Sequence, residues 1–265
     1  MPMNKVVLVT GGSSGIGLET ARALCSRGCR VYTLSRHAFS EPDMSHLIAD
    51  ITDFAQVESA VAEIMSREGR LDVLINNAGF GISGAGEFTE PEAAQKQMQV
   101  NFLGCTNLCR AVLPVMHQQG SGRIVNLSSV AAVVAIPFQA LYSASKAAIN
   151  AYTLAVANEV RPYGISMCAV MPGDICTNFT AAREKEYAGD DIYGGRIRRS
   201  VEKMEHDERN GMAPEKAGAY IARIALKKSV KPLHAVRTDY KLIAVLAKLL
   251  PVRLLNWLVG KLYAA

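Results

Sequence analysis

The feature that most constrains the fold is an alternation of short apolar, β-branched runs with longer helical stretches between residues 5 and 171. Apolar runs without a polar side are typical of parallel strands buried on both faces, and the helices between them fit the crossovers that parallel strands require. The expected strands are Lys5–Thr10, Arg30–Ser35, Leu47–Ala49, Leu71–Asn76, Arg123–Ser128 and Ile165–Met171. The expected helices are Ile16–Arg27, Phe54–Arg67, Ala93–His117 and Ala140–Val160. The pattern predicts an α/β fold with a doubly wound parallel sheet and helices on both faces.

The length of 265 residues suits a single α/β domain over residues 1–265 and is short for two substantial domains. A net charge of +5 without a basic block fits anionic small ligands or a membrane surface at least as well as nucleic acid, and no nucleic-acid-reading motif is present. The run Val6–Val9 is too short for a signal peptide. The six cysteines are expected to be free thiols, and no metal-binding signature occurs. A cytoplasmic protein is the resulting expectation.

Two later segments differ from this alternation. A charged stretch near residues 178–212 follows the last expected strand, and there it would lie over the ligand crevice of such a sheet, as a lid or as a plain solvated excursion. Residues 240–265 carry four basic and no acidic residues among many apolar ones, and Pro251 is expected to split them into two helices. This segment is too interrupted to span a membrane. Closure of an apolar pocket, an oligomer interface and peripheral membrane contact all remain open for it.

A glycine-rich turn joins the first expected strand to the first helix. The pattern Gly-x-x-x-Gly-x-Gly is formed by Gly11, Gly15 and Gly17, with Ser13, Ser14 and Ile16 between them. Glycines at this place allow a sharp turn and the close approach of a pyrophosphate, and the helix N-terminus supplies free N–H groups with a positive dipole end. The position of the turn therefore predicts a Rossmann-type dinucleotide site.

The end of the second strand indicates which dinucleotide is bound. A carboxylate here would bind the adenine ribose of NAD, but the chain has Ser35 and Arg36 instead. A guanidinium can hold a 2′-phosphate with two parallel hydrogen bonds, and the serine adds a hydroxyl. The residues therefore favour NADP(H).

Tyr142 and Lys146 lie one helical turn apart in a segment of small, helix-forming residues. Their side chains share a face, and a positive charge beside a phenol lowers its pKa. Such a pair could exchange a proton with a carbonyl or an alcohol. The same spacing also arises by chance on solvated helix faces, so the pair needs supporting motifs.

Seven motifs, including this pair, supply that support. Because they occur in the order typical of the family, the chain resembles the short-chain dehydrogenases/reductases of ordinary length. The motifs are Thr10–Gly17, Asp50-Ile51, Asn76–Gly79, Asn101, Ser128-Ser129, Tyr142–Lys146, and Pro172-Gly173 with Thr177. The resemblance covers about residues 5–226. The Leu-Ser-Arg strand end, the charged segment and the basic tail are loosely similar to the 17β-hydroxysteroid dehydrogenase-like reductases.

The resemblance implies a role for each matching residue. Tyr142 would be the acid/base, Lys146 would hold the nicotinamide ribose and lower the pKa of Tyr142, and Ser129 would hydrogen-bond the substrate oxygen. The main chain of Asn101 would hold a water in a proton relay. Cofactor contacts are implied for Asp50, Ile51, Asn77, Ala78, Gly79, Pro172, Gly173 and Thr177. The family also implies a homodimer or homotetramer formed through the helices around 93–117 and 140–160.

The sequence thus predicts an NADP(H)-dependent oxidoreductase that interconverts a ketone or aldehyde and an alcohol on a lipophilic substrate of steroid, retinoid or acyl-ketone type. The rival hypothesis is a non-catalytic NADP(H)-binding sensor or a membrane-docked scaffold. An intact set of Ser129, Tyr142 and Lys146 argues against the rival, because a non-catalytic role needs no phenol and ammonium at this spacing.

Overall fold

A computed structural model describes residues 4–264, so Met1, Pro2, Met3 and Ala265, the two ends of the expected domain, lie outside the described residues. Its centre is a seven-stranded, fully parallel sheet in the order β3-β2-β1-β4-β6-β7-β9. The strands are β1 Val6–Thr10, β2 Arg30–Ser35, β3 Met44–Ile48, β4 Val73–Asn76, β6 Gly122–Leu127, β7 Ile165–Met171 and β9 Leu233–Ala235. A two-stranded parallel ribbon pairs β5 Ile82–Ser83 with β8 Glu184–Lys185. The expected doubly wound sheet is confirmed.

Burial on both faces of the sheet explains why its strands are apolar throughout. In β1, Val6 and Leu8 join one core, while Val7 and Val9 join the core on the opposite face. Successive strand residues point to opposite faces, so one continuous apolar run serves two cores. The first core packs against helices α2 Phe54–Glu68, α4 Gly104–Gln119 and α5 Ala140–Val160. The second packs against α1 Gly15–Cys25 and α8 Pro214–Ala225.

The expected helix Ala93–His117 differs from the structure. It is divided into α3 Pro91–Met98, a π-helical turn over Gln99–Leu103, and α4. A π turn admits one extra residue per turn and is frequent at functional sites. Here it contains Asn101, whose side chain is buried and bonded to a neighbouring loop. Helical periodicity alone does not reveal such a turn, since the apolar pattern is interrupted for only one turn.

The segment after β7 covers the carboxyl ends of the strands. It contains α6 Phe179–Ala182, strand β8 and α7 Arg196–Arg209. Strand β8 pairs with β5, which ties the segment to the body, and a bridge between Ile175 and Met212 joins the two ends of the segment. Whether this segment acts as a lid or is a plain solvated excursion stays a prediction.

The last two helices are α9 Thr238–Leu249 and α10 Val252–Tyr263, and Pro251 separates them as expected. A proline cannot donate the hydrogen bond that a continuous helix would need at this point. Neither helix is long and apolar enough to cross a membrane, and the same holds for every other helix within residues 4–264.

Candidate active site

The cleft at the carboxyl ends of the strands forms one cavity of about 790 Å³. Ligands of open α/β sheets bind at this edge, where the strand order reverses. Eighteen of the twenty predicted site residues line this cavity: Gly11, Ser13, Ser14, Gly15, Ile16, Ser35, Arg36, Asp50, Ile51, Asn77, Ala78, Gly79, Ser129, Tyr142, Lys146, Pro172, Gly173 and Thr177. The fold therefore brings together residues that are spread over 167 positions of the sequence, from 11 to 177.

The glycine turn forms one end of the cavity. Gly11 has a φ of +62°, and a Cβ there would lie 3.0 Å from the Ala78 backbone. The Asn77 side chain fixes the turn by donating to the carbonyl oxygens of Thr10 and Gly11 at 3.0 and 3.1 Å. Only glycine combines this backbone conformation with such close packing.

The N-terminus of α1 opens into the same end. Its N-cap residue, Ser14, makes no side-chain hydrogen bond to the first turn, and that turn has no acidic residue. Helix α2 is different, because its N-cap Asp53 accepts from the N–H groups of Ala55 and Gln56. The first N–H groups of α1 are thus left for a ligand, and their dipole end favours an anion. The residues present therefore fit the pyrophosphate of a dinucleotide.

At the end of β2, Arg36 is exposed and lines the cavity. Ser35 donates through its hydroxyl to the His37 carbonyl oxygen at 3.0 Å, which positions the loop that carries Arg36. Asp50 follows the neighbouring strand β3 and accepts from both the backbone N–H and the hydroxyl of Thr52 at 2.8 Å. An exposed guanidinium at this rim is compatible with a 2′-phosphate, and the preference for NADP(H) stays a prediction.

The opposite half of the cavity contains the predicted proton donor. Tyr142 and Lys146 follow one another on a turn of α5, and Ser129 begins the short helical turn after β6. The Ser129 side chain lies within hydrogen-bonding reach of the Tyr142 phenol. The Lys146 ammonium donates to the Leu127 carbonyl oxygen at 2.8 Å and lies 5.6 Å from the centre of the Tyr142 ring. A substrate oxygen between the two hydroxyls would meet two donors where charge develops.

The pKa values differ from the sequence expectation. Burial raises the pKa of Tyr142 to about 12, while the bond from Ser129 acts in the opposite direction. Burial likewise lowers the pKa of Lys146 to about 8. The expected lowering of the Tyr142 pKa by Lys146 is therefore absent from the protein alone, because a dry cavity disfavours the charged form of both groups. At neutral pH the phenol holds its proton, which is the state that ketone reduction requires.

Two predicted residues lie behind the cavity wall. Gly17 is inside α1, where a Cβ would come within 2.3 Å of the Gly11 carbonyl oxygen, so its role is to let the helix approach the turn. Asn101 donates to the Phe80 carbonyl oxygen at 2.9 Å and accepts from the Phe80 N–H at 3.0 Å. It also donates to the Ser145 hydroxyl at 3.1 Å. These bonds place Gly79 close to the Lys146 ammonium, and the main-chain relay through Asn101 stays a prediction.

Sequence reasoning allowed pocket closure by the C-terminal helices but missed the particular contact through which they meet the cavity. The Tyr240 ring of α9 lies directly on Gly173, where a Cβ would come within 2.0 Å of it. Its hydroxyl donates to an Asp174 carboxylate oxygen at 2.5 Å and accepts from the Asp174 N–H at 3.0 Å. Apolar residues of both helices continue the wall, namely Ile243, Leu246, Leu250, Leu255, Leu258, Val259 and Leu262. Of the three alternatives for this segment, pocket closure is the one that these contacts support.

A buried ion pair beside the phenol was also missed. The Phe179 ring lies 5.8 Å from the Tyr142 ring, and the Arg183 guanidinium lies 5.7 Å from the centre of the Phe179 ring. Arg183 is fully buried and pairs with Glu208, a cavity-lining residue that also accepts from the Thr180 hydroxyl at 2.6 Å. Glu208 raises the pKa of Tyr142 and Arg183 lowers it. The partners are 25 residues apart in an irregular segment, so no sequence periodicity links them.

Comparison with known proteins places the chain among relatives with the same architecture. A family model described as short chain dehydrogenase matches residues 5–188. A 3-ketodihydrosphingosine reductase from Bacteroides thetaiotaomicron is 43% identical over 228 residues, which are 85% of this chain and 85% of that protein. A short-chain dehydrogenase from Streptomyces avermitilis has a TM-score of 0.85 at 29% identity, covering 98% of both chains. A second such enzyme, from Burkholderia cenocepacia in complex with NADP, has a TM-score of 0.77 at 28% identity and covers 98% of this chain and 99% of its own.

Proposed function

Since the chain belongs to the short-chain dehydrogenase/reductase family, we propose that it is an NADP(H)-dependent oxidoreductase that reduces the ketone of a lipophilic, long-chain substrate to an alcohol. Oxidoreduction at a CH–OH centre comes with family membership. The cofactor preference and the substrate class are the new parts. The observation that carries them is one cavity that is lined by Arg36, by Ser129 and Tyr142, and by apolar side chains of α9 and α10.

The catalytic part of the proposal assigns one task to each polar group. Ser129 donates a hydrogen bond to the substrate carbonyl oxygen, and Tyr142 donates its proton to that oxygen as it becomes an alkoxide. Lys146, behind them, holds the ribose side of the dinucleotide. A bound nicotinamide supplies the hydride. The high pKa of Tyr142 keeps the phenol protonated at neutral pH, so it is in the form that donates a proton to a carbonyl oxygen.

The cofactor part rests on the rim at the end of β2. Replacing Arg36 with Ala is expected to raise the KM for NADPH by about ten- to a hundredfold, since a charge-assisted bond contributes about 1.5–3 kcal/mol. The KM for NADH should change little, because NADH has no 2′-phosphate. Steady-state kinetics with both cofactors measure the difference. Arg161→Ala, an exposed arginine at the end of α5, is the matched control. An equal loss with both cofactors would remove Arg36 from this role.

The substrate part rests on the C-terminal helices and on one relative. The wall beyond Tyr142 is built from aliphatic side chains of α9 and α10, which suit an alkyl chain. The relative from Bacteroides thetaiotaomicron is a 3-ketodihydrosphingosine reductase. The compound in its name, 3-ketodihydrosphingosine, is a long-chain ketone. Among the steroid, retinoid and acyl-ketone classes, this favours the acyl ketone. The similarity to hydroxysteroid dehydrogenases stays loose.

A chain-length series tests the proposed activity. NADPH consumption would be followed with 3-ketodihydrosphingosine, with methyl ketones of increasing length, and with a steroid ketone and retinal. We expect kcat/KM to rise with each methylene by up to about fourfold, the value for a fully buried CH₂, until the apolar wall is filled. A rate that is independent of chain length, or a preference for the rigid steroid, would contradict the substrate class.

The non-catalytic alternative makes a different prediction for the same assay. A sensor or scaffold would bind NADPH without consuming it with any ketone. The cavity retains both hydroxyls and the buried lysine at positions where a binding protein would not need them. For this reason the enzyme is preferred over the sensor.

The proposal also includes a cytoplasmic homodimer or homotetramer formed through the helices around α4 and α5. Leu103 and Leu154, which lie on these two helical regions, are each 41% exposed. Exposed leucines on neighbouring long helices suit a self-complementary interface. Light scattering of the purified protein measures its assembly.

A further inference from the structure

The two C-terminal helices α9 and α10 with Pro251 between them, here named the hairpin, contain most of the exposed large hydrophobic side chains of the described chain. Of the fifteen exposed large hydrophobic side chains within residues 4–264, ten belong to this hairpin: Leu242, Ile243, Val245, Leu246, Leu249, Val252, Leu254, Trp257, Leu258 and Leu262. Helix α9 has no buried residue, and α10 has only Val259 in its buried set. Surface of this kind, concentrated in one element, marks an interaction site.

The exposed apolar residues do not all belong to the cavity wall. In α9 the wall is formed by Tyr240, Ile243 and Leu246, which are spaced three residues apart and share one face, and Leu250 continues it just after the helix ends. Leu242, Val245 and Leu249 are spaced three or four residues apart on an adjacent face of α9 and take no part in the wall. Leu249 is 74% exposed and Val252, across Pro251, is 80% exposed, so the tip of the hairpin is apolar as well.

Positive charge borders this outer apolar face. Lys241 and Lys248 are seven residues apart on one side of the α9 stripe, and both are exposed. Arg253, Trp257 and Lys261 form a row at four-residue spacing on α10. Residues 240–265 contain no acidic residue. Exposed cations beside leucines and a tryptophan are typical of helices that lie in the interface of an anionic bilayer.

The same hairpin bounds an open part of the cavity. Ile243, Leu246, Leu258 and Leu262 line the cavity and are also between 36% and 58% exposed. They come from both helices, so the apolar end of the cavity reaches the surface along the hairpin. An alkyl chain could pass there from a bilayer to Tyr142 without crossing water.

We propose that the outer face of this hairpin docks on the surface of an anionic phospholipid bilayer, and that the substrate enters the cavity from the bilayer along the hairpin. The entry step rests on the proposed function, whereas the docking does not. A second copy of the chain is a poorer occupant, because a two-fold interface would place the four cations of one hairpin against those of the other. A spanning insertion does not fit the lengths of α9 and α10.

The docking is tested with vesicles of phosphatidylcholine and of phosphatidylcholine mixed with phosphatidylglycerol. The full chain should co-sediment with the anionic vesicles and much less with the neutral ones. Each cation near an anionic surface raises the partition coefficient onto the vesicles by about fivefold. The double variant Lys241→Ala/Lys248→Ala should therefore have a partition coefficient about thirtyfold lower. The matched control is Lys228→Ala/Lys231→Ala, which removes two exposed lysines from the loop before β9. It should bind like the unaltered protein.

A second variant separates docking from catalysis. Val245→Asp/Leu249→Asp places carboxylates on the outer face and leaves the cavity wall intact. It should lose vesicle binding, keep its rate with a short, water-soluble ketone, and lose most of its rate with a long-chain ketone embedded in vesicles. If the unaltered protein reduced no ketone at all, the proposed function would be wrong, but the docking proposal would be unaffected. The docking proposal would be overturned if the unaltered protein failed to bind anionic vesicles, or if both hairpin variants bound them as well as the unaltered protein does. It would also be overturned if the unaltered protein bound no vesicles but formed a dimer that the variants dissociate.

Discussion

Replacing Tyr142 with Phe is expected to lower kcat for ketone reduction by about a hundred- to ten thousandfold, the usual contribution of a positioned general acid. The substitution removes only the hydroxyl that lies within reach of Ser129. The ring keeps its place beside Phe179, at 5.8 Å between centres, so the cavity should keep its shape. The measurement is single-turnover oxidation of NADPH with a saturating ketone.

The control for this variant lies on the same helix. Tyr152 of α5 packs edge-on against Phe102 and takes no part in the cavity wall, so Tyr152→Phe should leave kcat nearly unchanged. NADPH binding, followed by its fluorescence, should be alike in both variants. If Tyr142→Phe retained a rate close to that of the unaltered protein, the proton would have to come from another group, and the proposed chemistry would be wrong.

The Rossmann core could be predicted because its determinants are local. Continuous β-branched runs such as Arg30–Ser35 and Ile165–Met171 can be buried on both faces, and both strands have the expected bounds. Helix α5 also begins and ends where its small residues predicted, at Ala140 and Val160. The placement of the site followed from the fold, since the carboxyl ends of parallel strands meet at one edge.

The environment of the site could not be predicted, because it depends on contacts between segments without periodicity. The Tyr240 hydroxyl meets Asp174 across 66 residues, and its ring needs the space that Gly173 leaves. Strand β9 has three residues, too few for a pattern. The raised pKa of Tyr142 is a further case, since it follows from burial rather than from the charge of Lys146 one turn away.

The wall of the cavity joins two features that the sequence presents separately. The segment near 178–212 and the basic, apolar tail each allow more than one interpretation when taken alone. In the structure, Glu208 from the former and Leu258 from the latter line the same cavity as Tyr142. We therefore expect substrate choice to depend on the last third of the chain and the choice between NADPH and NADH to depend on the first fifth, which contains Arg36.

The second large effect is expected from the Arg183–Glu208 pair. Glu208→Gln keeps the shape of the side chain but leaves the Arg183 charge buried without a counter-charge. Arg183 is fully buried, and within residues 4–264 two of its nitrogens, Nε and Nη1, have no hydrogen-bond partner. Removing one partner of a buried pair costs about 3–5 kcal/mol. The melting temperature should fall by about 10 °C in a thermal unfolding scan.

Glu63→Gln is the matched control for stability, because the Glu63–Arg67 pair lies on the surface of α2 with side chains 43% and 53% exposed. It should change the free energy of unfolding by less than about 1 kcal/mol. A fall of the melting temperature in Glu208→Gln no larger than in Glu63→Gln would mean that the Arg183–Glu208 pair is not held in a dry environment.

The pair should also act on the chemistry, in opposite directions for its two members. Glu208 raises the pKa of Tyr142, so Glu208→Gln should lower that pKa and shift the rise of alcohol oxidation to lower pH. Arg183 lowers the same pKa, so Arg183→Met should shift the rise to higher pH. The pH profile of kcat/KM for alcohol oxidation measures both shifts. If the pair had only a structural role, both variants would be less stable, but their pH profiles would coincide. Only a charge that acts on the phenol would shift the profile in opposite directions for the Glu208 and Arg183 variants.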